Sequence, residues 1–134
     1  MVCCDLTLGG AVNPRMSELV ERGLDFSTPR LYLVDGGKAL HAAVRRHAGE
    51  AAFIQRCQVH EKRNVVDHLT EEHKADVKRK LQNAYAMTDY NDAKRALERL
   101  HRELMDLNPS AARSLEEGLK ETLTVHPRSR RRIV

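Results

Sequence analysis

An aspartate that follows a short apolar run and precedes two glycines and a lysine is placed to do chemistry. Asp35 has those neighbours, with Leu31-Tyr32-Leu33-Val34 before it and Gly36-Gly37-Lys38 after it. The run reads as a buried strand, and α/β proteins place ligand and metal contacts at the carboxyl ends of such strands. A carboxylate there suits a hard divalent cation such as Mg2+ or Mn2+, which takes oxygen ligands. The plainer alternative is that Asp35 caps the next helix or shapes the glycine turn. The stretch does not have the G-x-x-x-x-G-K-S/T spacing of a nucleotide phosphate loop, which sets that chemistry aside.

Cys57-Gln58-Val59-His60 has the C-x-x-H spacing of half a zinc site. A structural zinc wants four ligands, and the other histidines form no matching pair with a cysteine. A buried thiol beside an exposed or hydrogen-bonded imidazole stands as the alternative. Between positions 38 and 63 the basic residues Lys38, Arg45, Arg46, Arg56, Lys62 and Arg63 face only Glu50 and Glu61. That local excess fits a phosphate backbone, or equally an ordinary solvated face. Lys74, Lys78, Arg79 and Lys80 pose the same choice between a second contact surface and a solubility face.

Positioning these groups requires an α/β unit followed by an all-α segment. After the Leu31–Val34 strand, Leu40, Ala43, Val44 and His47 share one helix face, Gly49 closes the helix, and Ala51 to Gln55 reads as a second strand. A strand, helix, strand unit of this length implies parallel strands with a right-handed crossover. Before it, residues 1–15 read as irregular, and a short helix runs from Met16 to Gly23. After it, the pattern predicts helices over about 59–69, 71–86, 91–106 and 110–124. Leu97, Leu100, Leu104 and Leu107 form one stripe and Ala112, Leu115, Leu119 and Leu123 another, so the last two helices are expected to pair as an antiparallel hairpin.

Composition narrows the class. Of 134 residues 41% are hydrophobic, 31% charged and only 4% aromatic, a profile suited to a helical chain and not to a β-sandwich or barrel. No apolar run approaches a bilayer span, and the first ten residues do not resemble a signal peptide, which implies a soluble, cytoplasmic protein with no membrane partner. Three cysteines, two of them adjacent, imply reduced thiols. The net charge of +4 is carried by Arg128, Arg130, Arg131 and Arg132 near the C-terminus, and the rest of the chain is neutral. Overall charge therefore gives no argument for a DNA-binding domain.

Three ordered stretches carry a family resemblance: Leu31 to Leu40, then Gln55-Arg56-Cys57-Gln58-Val59-His60-Glu61-Lys62-Arg63-Asn64-Val65, then Ser114-Leu115-Glu116-Glu117-Gly118-Leu119 running into Glu121-Thr122-Leu123-Thr124. Together they resemble the transposases of bacterial Mutator-type insertion sequences, across about residues 16–126. The resemblance implies a ribonuclease-H-like catalytic domain whose Asp, Asp, Glu triad holds two Mg2+ (or Mn2+) ions for DNA strand cleavage and joining. It matches Asp35 to the second aspartate, and so to a metal ligand, and Cys57 and His60 to the C-x-x-H signature that follows it.

On this basis residues 16–65 are expected to be a partial ribonuclease-H-like core, 66–125 its helical insertion and 126–134 a basic tail. The family's first aspartate and its glutamate, which follows a Thr-Asn-x-Ile-Glu stretch, have no counterpart in these residues, and Asp5 lies too close to Asp35 to replace the first. The expectation is a catalytically incomplete transposase fragment with weak metal affinity, whose partners are DNA and full-length transposase or a second copy. Two alternatives stand beside it: a non-catalytic helical module that binds DNA or transposase, and a free-standing zinc protein. The strands near Leu31 and Ala51 are expected to keep unpaired edges.

Overall fold

Alternating apolar residues in Arg30–Val34 (β2) and Ala52–Arg56 (β3) give two short strands that pair in parallel, with Leu31 opposite Phe53 and Val34 opposite Arg56. A computed structural model describes residues 2–3 and 12–126, with side chains over 15–126. Asp5 and the arginine tail lie outside the described residues. Val2–Cys3 (β1) adds a third parallel strand on the far side of β2, so the sheet order is β1-β2-β3. Helix α2 (Lys38–Ala48) and a 3-10 turn (Gly49–Ala51) make the crossover from β2 to β3. The parallel arrangement expected from the sequence is present.

Tyr32, Val34, Ala52 and Ile54 point to one face of the sheet. They form a buried cluster with Met16 of helix α1 (Val12–Glu21), Phe26, and Leu40, Ala43, Val44 and Ala48 of α2. Helix α1 begins at Val12 and not at Met16. Pro14 lies in its first turn, where the missing N–H has no intrahelical acceptor to lose, so Asn13-Pro14 continues a helix instead of ending a loop.

The remaining helices are α3 (Gln58–Val66), α4 (Glu71–Ala86), α5 (Tyr90–Leu107) and α6 (Pro109–Gly118), followed by a 3-10 turn at Glu121–Leu123. Val65, Val77, Leu81, Ala84, Leu97, Leu100, Leu104, Ala112, Leu115 and Leu123 make a second buried cluster, separate from the first. Asn108 both ends α5 and starts α6. Its side-chain oxygen accepts from the amides of Ser110 and Ala111, and its amide donates to the Leu69-preceding carbonyl of His68. Helices α5 and α6 pack on each other as expected. The apolar stripe of α5 is shorter than the sequence implies: Leu107 is 47% exposed, because the chain turns at Asn108 before that residue can reach α6.

The expected last helix stops at Gly118 and not near Thr124. Beyond it the chain bends toward β3, and the bend closes the sheet edge. The carbonyls of Ala52, Ile54 and Arg56 face away from β2 and accept from the side chains of Arg45, Thr124 and Gln55 respectively. The edge expected to be open is therefore covered by side-chain donors, which blunts it as a pairing template. No helix among the described residues is long and apolar enough to cross a membrane.

The two ends of the α5 stripe should respond differently to truncation. Leu104→Ala removes a fully buried side chain and is expected to cost about 2–5 kcal/mol in urea denaturation. Leu107→Ala, at an exposed position, is expected to stay within about 0.5 kcal/mol of the parent. Equal losses would place Leu107 in the core.

Candidate functional site

Asp35 follows β2 and Cys57 follows β3, so the parallel register sets them side by side at the carboxyl ends of adjacent strands, with the Cys57 amide donating to the Val34 carbonyl. One carboxylate oxygen of Asp35 accepts from the Gly37 amide at 2.9 Å. The acid thus shapes the glycine turn, while its other oxygen makes no such contact in the turn. Gly36 has φ +106°, a conformation that favours glycine. A side chain there would also meet Arg56, whose guanidinium lies 3.6 Å from where a Cβ would stand.

Arg56 is the last residue of β3 and is buried. Its guanidinium lies between two acids, 3.4 Å from Glu61 Oε2 and 3.6 Å from Glu121 Oε2. Glu61, on α3, is wholly buried, and it fits only because Gly118 of α6 has no side chain: a Cβ there would come within 2.5 Å of the Glu61 carboxyl carbon. Burial raises the Glu61 carboxyl above its ordinary range, outweighing the opposing pull of Arg56. His41 of α2 contacts Glu121 at 2.5 Å, and Lys38 faces Glu117 at 3.7 Å.

Uncharged contacts complete the junction. The side-chain amides of Gln55 and Gln58 both donate to the Thr122 carbonyl, at 2.9 and 2.8 Å, and the Val125 amide donates to Gln55 Oε1 at 3.0 Å. The three stretches that carry the family resemblance, far apart in sequence, therefore meet beside the Asp35 turn.

The other sequence-stretch candidates are distributed differently. Cys57 is half-buried with a free thiol, and His60 is exposed. Among the described residues no group of three or more His, Cys, Asp or Glu side chains is arranged to hold a metal ion. Asp35 alone does not fit a two-ion clamp, and Cys57 with His60 does not make a zinc site. Arg45 spends its guanidinium on the carbonyls of Gly49 and Ala52, and Arg56 is locked between its acids. Lys38, Arg46 and Arg63 are exposed and Lys62 half-buried, and Arg46, Lys62 and Arg63 have no carboxylate partner among the described residues. On α4, Lys74 pairs with Glu71, Arg79 with Asp76, and Lys80 with Asp76 and Glu103, so this helix largely neutralises itself.

His41, Glu61, Gly118 and Glu121 are the junction residues that spacing did not single out. A signal for Glu61 existed: it stands four residues before buried Val65, on the inward face of α3.

Two measurements probe the junction. Gly118→Ala is expected to destabilise by about 1–3 kcal/mol through overpacking against Glu61, and to cost clearly less in a Glu61→Ala background, a coupling that denaturant midpoints would reveal. The second concerns pH. The folded chain holds the Glu61 proton to higher pH than the unfolded chain, so this group's contribution is most favourable below the ordinary value of 4.5 and declines as pH rises above it. The stability difference between the parent and Glu61→Gln should therefore move against the parent as pH is raised from about 4 toward neutrality. A difference that moves the other way would show that Arg56 dominates.

Comparison with known proteins adds one finding. No curated protein and no solved structure matches the chain, whereas the family model for "Transposase, Mutator family" matches residues 13–134. That span takes in the Asp35 turn, the Arg56 and Glu61 junction and every helix of the second core, and the chain belongs to the Mutator family of transposases.

Proposed function

We propose that this polypeptide serves DNA transposition by binding DNA beside the Asp35 turn, with Asp35 as one carboxylate of the family's metal-binding triad. The observation that carries this reading is the convergence of three sequence-distant family stretches on that one turn. The parallel order β1-β2-β3 with its α2 crossover supports assigning the α/β part to a ribonuclease-H-like core, and the second buried cluster supports assigning the helices to its insertion. Cys57 is then support for the adjacent aspartate, and Arg46, Lys62 and Arg63 are basic residues that can meet phosphates without giving up a carboxylate partner.

Family membership implies DNA as partner and divalent-metal dependence in general. Two-ion phosphoryl transfer needs several oxygen ligands held together. Among the described residues Asp35 is the one such ligand at the turn, and the activity proposed for the described residues is DNA binding without cleavage. The second reading is a non-catalytic helical module that associates with transposase, favoured by the self-contained core of α3 to α6.

Labelled duplex carrying element ends, mixed with the purified protein and Mg2+ or Mn2+, tests the reading. Salt-dependent binding without nicking is expected. Metal-dependent nicking that disappears in Asp35→Ala would overturn binding without cleavage. Binding abolished by removing residues 127–134 would assign the DNA contact to the tail and not to the turn.

A further inference from the structure

A cavity of about 300 Å3 opens beside the Asp35 turn, lined by Lys38, His41, Arg56, Glu117 and Glu121. Its basic side chains all come from the α/β unit, and its acids all come from the end of the helical unit. Lys38 and His41 stand three residues apart on α2 and project from one side. Glu117 and Glu121 stand four apart across the end of α6 and meet them in order, Lys38 to Glu117 at 3.7 Å and His41 to Glu121 at 2.5 Å.

The two pairs differ in how firmly they are held. Lys38 and Glu117 side chains are 85% and 52% exposed, and such a pair is weak and screened by salt. His41 and Glu121 are 31% and 18% exposed, and Glu121 is shared with Arg56. A carboxylate and a phosphate oxygen are interchangeable acceptors for lysine and imidazole donors. Arg56 is not free to change partners, because it also lies against buried Glu61. Lys38 is free to do so: it begins α2 three residues after Asp35, where backbone phosphates flanking a DNA strand at Asp35 would pass.

We infer that Lys38 is a DNA-phosphate contact beside the Asp35 turn, covered by Glu117 while His41 stays on Glu121, and that a backbone phosphate enters by displacing Glu117 from Lys38. The inference rests on the reading of DNA as partner. Glu117 then acts as an internal competitor for the phosphate.

The test is fluorescence anisotropy of a labelled random-sequence duplex titrated with the full chain at several salt concentrations. Glu117→Gln changes an exposed residue, so the fold should survive, with circular dichroism as the check. It is expected to tighten binding several-fold and to steepen the log-log salt dependence by up to about one unit, because Lys38 then meets the phosphate without a displaced carboxylate taking up a salt cation in exchange. Lys38→Gln in the same background should cancel both effects. Asp106→Asn, which removes an equal charge from an exposed position on α5, should leave the salt slope unchanged. A Glu117→Gln variant that binds like the parent, a gain that survives Lys38→Gln, or an equal change in Asp106→Asn would overturn the inference while leaving DNA binding intact. Failure of every variant and of the parent to bind duplex at low salt would overturn DNA as partner as well.

Discussion

A single buried cation organises the junction between the two halves of this chain. Arg56 ends β3, underlies Gly36 of the Asp35 turn and faces Glu61 and Glu121. A guanidinium in that position is tolerable only with anionic partners close by, since an unpaired buried charge costs several kcal/mol. The partners come from α3 and from the turn after α6, so satisfying one side chain fixes where both must lie. The burial of Glu61 in turn requires Gly118, and the helix break after Gly118 lets Thr122 and Thr124 reach β3. Removing one member leaves its neighbours with an uncompensated charge or an unfilled space.

Much of the framework was legible in sequence. The apolar run before Asp35, the helix face of Leu40, Ala43 and Val44, the glycines that end these elements and the second strand before Cys57 together specified the parallel unit. Helices α4 and α5 were equally visible, because their apolar residues recur at helical spacing between clear capping residues such as Asp89. The ends were harder. Asn13-Pro14 read as a turn because proline carries two meanings, and here it stands in the first turn of a helix. Leu107 belongs to its stripe by spacing, yet a cap one residue later takes it out of the core.

The candidate site was legible in part, for a physical reason. Asp35 and its glycines are a local signal, since the turn they form is made within four residues. Glu61 sits beside Lys62 and Arg63 and reads as one charge in a solvated helix. Its burial depends on an arginine five residues before it and on a glycine in another helix, and no local period encodes that combination. Arg45 and Arg56 likewise counted as basic surface, although one closes a strand edge and the other a buried ion cluster. The polar side chains in this protein that matter most for assembly are those that a composition reading assigns to solvent.

The cover over the β3 edge has a consequence for the order of assembly. Ile54 meets Thr124 across 70 residues, and His41 meets Glu121 across 80. Closing so long a loop as flexible chain carries an entropic penalty, but α4, α5 and α6 form from contacts near in sequence and shorten the span before it closes. A nascent chain can thus build its helical bundle while the Asp35 turn still has no Glu121 behind Arg56. The acid that defines the family stretch is made early, and its surroundings are completed only when the residues around Thr124 have been synthesised and have folded back.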